Sequence, residues 1–385
     1  MKKDKDNKSD EKEKPKLPTK KPSMIIEKPT FNINNYKKDE GYADDSVKDK
    51  PIRFIPLSDD FAKITGLPGV AMGYVQLYRG YTNTGKSTAV YEGVKGCQQI
   101  GVLPIIIDTE TNWSWEHAKE IGIEFKEVID EETGEVTNYE GFFIYVDNDI
   151  LLKKYGNYDY AEAKRKKDYR TECAIEDVAY LVDDLLEEQN NGKLNIELCF
   201  FWDSIGSIDC FKGIVSKSKN NMWNAGALES SFKAIFNHKI PSSRKEGKVY
   251  TNTFAAVQKI WIDSMQGAGV IKHKGGEAAF YAARLIVHFG GIASHGTKQL
   301  IATSNNKQYG FGIETNIKVI KNQVNGLTWE GKIASTPHGF INPENKLDYL
   351  AKNKKYLLSK LELEDGEIEL TEEITKNTGE MFSAD

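Results

Sequence analysis

Cysteine is scarce. The 385 residues hold four, Cys97, Cys173, Cys199 and Cys210, with no CxxC pair and no Cys/His spacing. That excludes a disulfide framework and a zinc cluster. Cys199 lies in an apolar run, so the set reads as buried thiols in a reducing compartment. Long apolar runs are missing as well. Stretches such as "LCFFW" fall far short of the roughly 20 residues that span a bilayer, and the amino-terminus carries no apolar leader. The expectation is a soluble, cytoplasmic chain with no membrane partner. Basic excess is also absent. Asp and Glu number 57 against 52 Lys and Arg, a net charge of −5. Any contact with nucleic acid must then come from a local patch.

What is present sorts by composition. Residues 1–50 are rich in Lys, Asp and Glu and poor in apolar side chains. They read as a charged, disordered tail, with "MIIEKPTFNINNY" as a possible subunit-docking element. Residues 51–335 read as the core, with a Tyr- and Lys-rich insertion at about 126–172 that stands outside the core sheet and turns at "EETGEV". Residues 336–385 read as a small region ending in an acidic, solvating tail that competes with DNA for basic loops.

Within the core, "YVQLY" alternates as a strand does, and "KSTAVYEGVKGCQQI" has helical spacing. "VLPIIID" and "IELCFFWD" are continuous apolar strands of the kind buried in a parallel sheet. Further strands are expected at 253–258, 283–289, 299–304 and 315–322, and helices at 174–189 and about 225–238. The fold class is α/β, with a central, mostly parallel sheet flanked by helices.

Between the first strand and helix lies "GYTNTGKST", residues 80–88. Gly-x-x-x-x-Gly-Lys-Ser lets backbone N–H groups converge on phosphate oxygens. Gly80 and Gly85 permit the close approach, Lys86 places its charge on the β- and γ-phosphates, and Ser87 offers a hydroxyl to Mg²⁺. The helix that follows presents its positive end. Two carboxylates sit at the ends of apolar strands, which in a parallel sheet lie on the same edge as the loop, where ligands bind. Asp203 suits a Mg²⁺ ligand, and Glu110 suits the base that orients and deprotonates water. Asp108 reads as structural.

With these pieces in order, the chain resembles the RecA recombinase family, including phage recombinases of the UvsX type. The segments that carry the resemblance are "LYRGYTNTGKST", "IIIDTET", "FFWDSIGS", "TFAAVQKIWI", "HKGGEAAFYAARLIVHF" and "NIKVIKNQ". They cover roughly residues 52–335. The resemblance implies a RecA-like P-loop core and a DNA-dependent ATPase using ATP and Mg²⁺. It implies a helical filament on single-stranded DNA that pairs with double-stranded DNA, in a bacterial or phage-infected cell, with single-strand-binding and mediator proteins as further partners.

It also implies roles for residues. Gly80, Tyr81, Thr82, Asn83, Thr84, Gly85, Lys86, Ser87 and Thr88 would hold ATP, His117 would stack on adenine beside Trp113 and Trp115, and Glu110 would be the catalytic carboxylate. Gln258 would sense the γ-phosphate, and Lys321 or Lys318 would reach the ATP of the next subunit. One DNA loop would span 212–226, with Lys217, Lys219, Met222 and Trp223. A second would run from 259 to about 274, with Lys259, Trp261, Lys272, His273 and Lys274, hinged at Gly275 and Gly276. Gln323 departs from the family, standing where a second lysine is expected. Two alternatives stay open: a hexameric ring helicase with the same core, and a nucleotide-gated DNA-binding mediator.

Overall fold

Six apolar segments far apart in sequence meet side by side as parallel strands. The computed structural model describes residues 33–41, 48–156, 170, 172–217, 221–263, 270–273, 278–291 and 296–374. The chain divides into two units, Met1–Asp45 and Ser46–Asp385. The described part of the first is the helix Ile33–Asp39, which carries Lys37 and Lys38 in its last turn, where cations suit the helix dipole.

The second unit is mixed α/β, with a large central sheet flanked by helices. From one edge the strand order is Gly339–Ile341, Glu330–Thr336, Lys307–Asn322, Leu285–Phe289, Val75–Gly80, Thr253–Asp263, Leu198–Ile205, Leu103–Asp108 and Ile144–Asp147. Pairing is parallel from Leu285–Phe289 onward and antiparallel before it. Parallel strands covered on both faces need no polar alternation, which is why "LCFFW" has none. Side-chain parity splits that run between two cores. Phe200 and Trp202 face the helices Ile175–Asn190 and Asn221–Ala234. Cys199 and Phe201 join the opposite cluster, with Ala89, Val90 and Val94 of the helix Lys86–Ile100. Trp202 stacks on Phe232 with centroids 5.3 Å apart. Truncating a buried aromatic of this size to alanine costs about 3–5 kcal/mol. All four cysteines are buried and free. Among the described residues, no helix is long and apolar enough to cross a membrane.

Three sequence expectations need correction. The first concerns the insertion, which is not wholly outside the core sheet. Phe125–Ile129 and Val136–Gly141 do form a separate hairpin that turns at "EETGEV". Ile144–Asp147, however, joins the central sheet beside Leu103–Asp108, and Leu151 and Tyr155 enter the core. The strand itself is apolar, in "FFIYVD", but it is only four residues long and the polar flanks of the insertion hid it.

The second concerns the proposed DNA segments, whose described residues lie mostly in regular structure. Residues 212–226 are largely helical, in Phe211–Ser216 and Asn221–Ala234. Beyond 259 the described residues form two paired strands: Ile260–Asp263, at the end of Thr253–Asp263, pairs antiparallel with Val270–His273.

The third concerns the acidic end, which is partly structured. Glu369–Ile374 pairs antiparallel with Lys298–Ser304. Glu372 lies 3.1 Å from Lys298 Nζ and also pairs with Lys346, so local cations offset the acidic charge.

Candidate active site

The carboxyl ends of adjacent parallel strands set out the site. In register, Gly80 lies beside Lys259, Arg79 beside Gln258, Gln258 beside Ile205, and Asp203 beside Asp108. The loop 80–88 leaves the first of these strands and opens the helix Lys86–Ile100. Gly85 caps that helix at φ 88°, a conformation that favours glycine. A Cβ at Gly80 would come within 2.2 Å of Phe289 O, so only glycine fits between the two strands. Thr82, Asn83 and Ser87 are exposed, whereas Tyr81, Thr84, Lys86 and Thr88 are buried. Thr84 Oγ1 donates to Tyr81 O at 2.9 Å. Lys86 Nζ donates to the same carbonyl and to Thr84 Oγ1 at 3.4 Å.

Burial pulls the Lys86 amine down to about 8, Asp203 and Glu110 oppose the shift, and Lys259 adds to it. An ammonium held in this way is under-solvated, and an anionic phosphate is the ligand that would offset the cost.

Ser87 Oγ donates to Asp203 Oδ2 at 2.7 Å. Burial raises the Asp203 carboxyl to about 6; the Ser87 bond and the Lys86 charge offset only part of this. The Asp203–Ser204 peptide is cis. A carboxylate with too little positive charge nearby, next to an exposed hydroxyl, fits Mg²⁺. That ion takes one or two protein oxygens and completes its shell with phosphate and water. Among the described residues, no group of three or more His, Cys, Asp or Glu forms a dedicated metal cage. A small cavity of about 20 Å³, lined by Ser87, Tyr91, Asp108, Trp113 and Asp203 among others, lies at this point.

Glu110 stands at the rim. Lys259 Nζ is 2.6 Å from its Oε2, Asn112 Nδ2 donates to the same oxygen at 3.1 Å, and Ser204 Oγ donates to Oε1. Burial works to raise its carboxyl, but Lys259, Ser204 and Lys86 outweigh that and hold it below its ordinary value. Asp108 is structural, as its setting suggested. Its Oδ1 accepts from the N–H groups of Glu110 and Asn112, both at 3.2 Å. Its Oδ2 accepts from Trp113 N–H at 2.9 Å and Tyr145 OH at 3.2 Å. This fixes the turn that presents Glu110.

His117 lies on the helix Trp115–Ile121, with Nδ1 3.8 Å from Glu120 and its ring edge-on to Tyr91 at 4.6 Å. Trp113 stacks on Tyr91 with ring centroids 4.1 Å apart. Trp115 packs edge-on against Trp113 at 5.9 Å and stacks on Tyr139 of the insertion hairpin at 4.1 Å. Gln258 is fully buried.

Other candidates do not converge on this loop. Lys318 Nζ pairs with Glu330 at 2.7 Å. Lys321 Nζ donates to the carbonyls of Phe280 and Tyr281 at 3.2 and 2.9 Å. Met222 is 80% exposed, but Trp223 packs on the core with Lys212 Nζ 4.2 Å above its ring. Lys217 caps a short helix at φ 52°. Trp261 and Lys272 face each other across the ribbon. His273 takes part through its backbone, opposite Ile260. Lys219, Lys274, Gly275 and Gly276 lie outside the described residues.

Sequence reasoning missed Ser204, Asn112 and Ser335. Ser335 contacts Thr88 through their hydroxyls across 247 positions, a distance no local pattern encodes. Ser204 and Asn112 adjoin Asp203 and Glu110, and their hydroxyl and amide were the available signal. No protein-family model matches the chain, and no curated protein matches it.

Proposed function

We propose that this chain is an ATP-hydrolysing, single-stranded-DNA-binding recombinase with a RecA-like core, which assembles as a filament and promotes homologous pairing. The observation that carries the reading is the convergence of Lys86, Ser87, Asp203 and Glu110 at the carboxyl ends of the parallel strands of one sheet.

In this reading the loop N–H groups and Lys86 hold the β- and γ-phosphates. Asp203 and Ser87 would hold Mg²⁺, which supplies charge neutralisation at the phosphate oxygens. Glu110 accepts a proton from the attacking water. The water oxygen bonds to the γ-phosphorus, the bond to the β–γ bridging oxygen breaks, and ADP and phosphate leave. Gln258 lies between the loop strand and the Asp203 strand and continues into the ribbon that carries Trp261 and Lys272. That continuity gives nucleotide state a route to a basic, aromatic surface suited to single strands. Lys318 and Lys321, which are paired within this chain, are the cations proposed to reach a neighbouring subunit's nucleotide.

The test is Lys86→Ala, assayed for ATP-dependent binding to single-stranded DNA and imaged with a non-hydrolysable ATP analogue. The expected result is loss of ATP-dependent binding in the variant and helical filaments in the wild type. Closed rings would select the helicase alternative, and DNA binding without turnover under any condition would select the mediator. ATP dependence that survives in the variant would sink the phosphate-loop assignment.

A further inference from the structure

A second amine stands beside the phosphate loop. Lys259 follows Gln258 and lies in register with Gly80, the first residue of the loop. Its Nζ pairs with Glu110 Oε2 at 2.6 Å. Lys86 on the loop helix feels the charge of Lys259 as well as those of Glu110, which follows one strand, and Asp203, on another. Two ammonium groups and two carboxylates thus share one site.

The pairing has a consequence for Glu110. With Lys259 and Asn112 on one oxygen and Ser204 on the other, the carboxylate is a weak proton acceptor. A base that is to take a proton from water must first lose part of this grip. Lys259 is the partner able to let go. Its side chain keeps 30% of its surface exposed, against 11% for Glu110. A lysine is a mobile point charge on a four-carbon stem, so it moves without repacking the core.

We propose that Lys259 is a catalytic-site lysine that exchanges partners, leaving Glu110 for a terminal phosphate oxygen when a nucleoside triphosphate occupies the loop. This rests on the phosphate-loop reading above. The terminal phosphate is the most anionic group that would enter, and it would enter beside Gly80. The exchange does two things at once. It adds a cation where charge develops on the γ-phosphate, and it releases Glu110 to act as base. A diphosphate lacks that oxygen, so Lys259 would stay with Glu110. The lysine therefore reads the difference between ATP and ADP.

The experiment measures the affinities of ADP and a non-hydrolysable ATP analogue, together with steady-state phosphate release, for wild type, Lys259→Met and Lys259→Arg. In Lys259→Met the analogue should bind about tenfold more weakly and ADP unchanged, the loss of one charge-assisted contact. KM for ATP should rise by a similar factor, and Lys259→Arg should restore most of the difference. Glu110→Gln, which frees the lysine from its carboxylate, should move the analogue-to-ADP preference the opposite way, and it serves if Lys259→Met fails to fold. A preference unchanged in both Lys259→Met and Glu110→Gln overturns the exchange while leaving the phosphate loop standing. Wild-type protein that binds neither nucleotide overturns both.

Discussion

Arg284 and Gln323 hold each other by two hydrogen bonds: Arg284 Nη1 donates to Gln323 Oε1 at 2.6 Å, and the Gln323 N–H donates to Arg284 O at 2.8 Å. Gln323 is the position where the resemblance expects a lysine. A lysine there could not accept from the guanidinium. It would add a third cation beside Arg284 and Lys321, whose amine is already lowered by burial and by the charge of Arg284. Gln323→Lys should therefore lower stability by about 1 kcal/mol, and Gln323→Glu should keep or raise it. Thermal melts at low and high salt check this, because the gap between the two variants should shrink as salt rises. Equal melting temperatures at low salt would mean that the pair carries no weight.

Asp203 makes a separate stability prediction. Its carboxyl is raised from 3.8 to about 6, chiefly by burial. The folded chain therefore holds a proton there that the unfolded chain has released, and stability falls as pH rises from about 4 to about 6. One proton contributes about 1.4 kcal/mol per pH unit across that window. Asp203→Asn should melt above the wild type at pH 8 and level with it at pH 4, while losing Mg²⁺-dependent turnover. Melts of the two proteins at pH 4, 6 and 8 decide it, and no gap at pH 8 would show that Ser87 and Lys86 fully compensate the charge.

His288 titrates with the opposite sign. It is 2% exposed, and its Nε2 makes no hydrogen bond among the described residues. Burial brings it down to about 4, with Arg79, Lys86 and Lys318 adding repulsion and a Gly291 backbone bond opposing. Below its ordinary value of 6.5 the unfolded chain takes up a proton that the fold refuses, so stability is lost as pH falls towards 4. His288→Gln should lose up to ~3 kcal/mol less than wild type on acidification from pH 7 to pH 4. The Asp203 and His288 windows overlap, so the wild-type curve alone conceals both; urea midpoints of each variant against pH separate them. Parallel wild-type and His288→Gln curves would remove the histidine from the account.

The parts legible in sequence are those encoded locally. Gly80, Gly85, Lys86 and Ser87 announced a loop, and "VLPIIID" and "IELCFFWD" announced buried strands with Asp108 and Asp203 at their ends. The parts that were not legible depend on register. Lys259 is one residue past Gln258, and nothing in "VQKIWI" separates a lysine facing DNA from one facing Glu110; the parallel pairing with Gly80 decides. Ile144–Asp147 escaped notice because a four-residue strand has too few positions to show a period. Lys318 and Lys321 were legible as cations, but their ties to Glu330 and to the carbonyls of 280 and 281 come from tertiary packing alone.

Truncation tests whether the acidic end competes with DNA, and the structure decides where the cut belongs. Helix Lys354–Lys360 places Leu357 in a core cluster with Phe311 and Tyr349. Tyr356 OH donates to Glu120 Oε1 at 2.6 Å, and Lys360 pairs with Glu116 and Glu120, on the helix that carries His117. Glu369–Ile374 supplies a whole ladder to Lys298–Ser304. Cutting before Lys360 removes that ladder, exposes a sheet edge and loosens the His117 helix, so it should lower the melting temperature by several degrees and invite aggregation. Cutting after Ile374 removes only Lys376, Glu380 and Asp385 among charged residues, leaves the ladder intact and should melt like the full chain. Competition between acidic side chains and DNA is thus tested by the second cut, and by Glu369→Gln with Glu373→Gln in the full chain. Tighter duplex binding in these variants at unchanged melting temperature would support electrostatic competition. Tighter binding only after the first cut, together with a lowered melting temperature, would trace the effect to a damaged sheet.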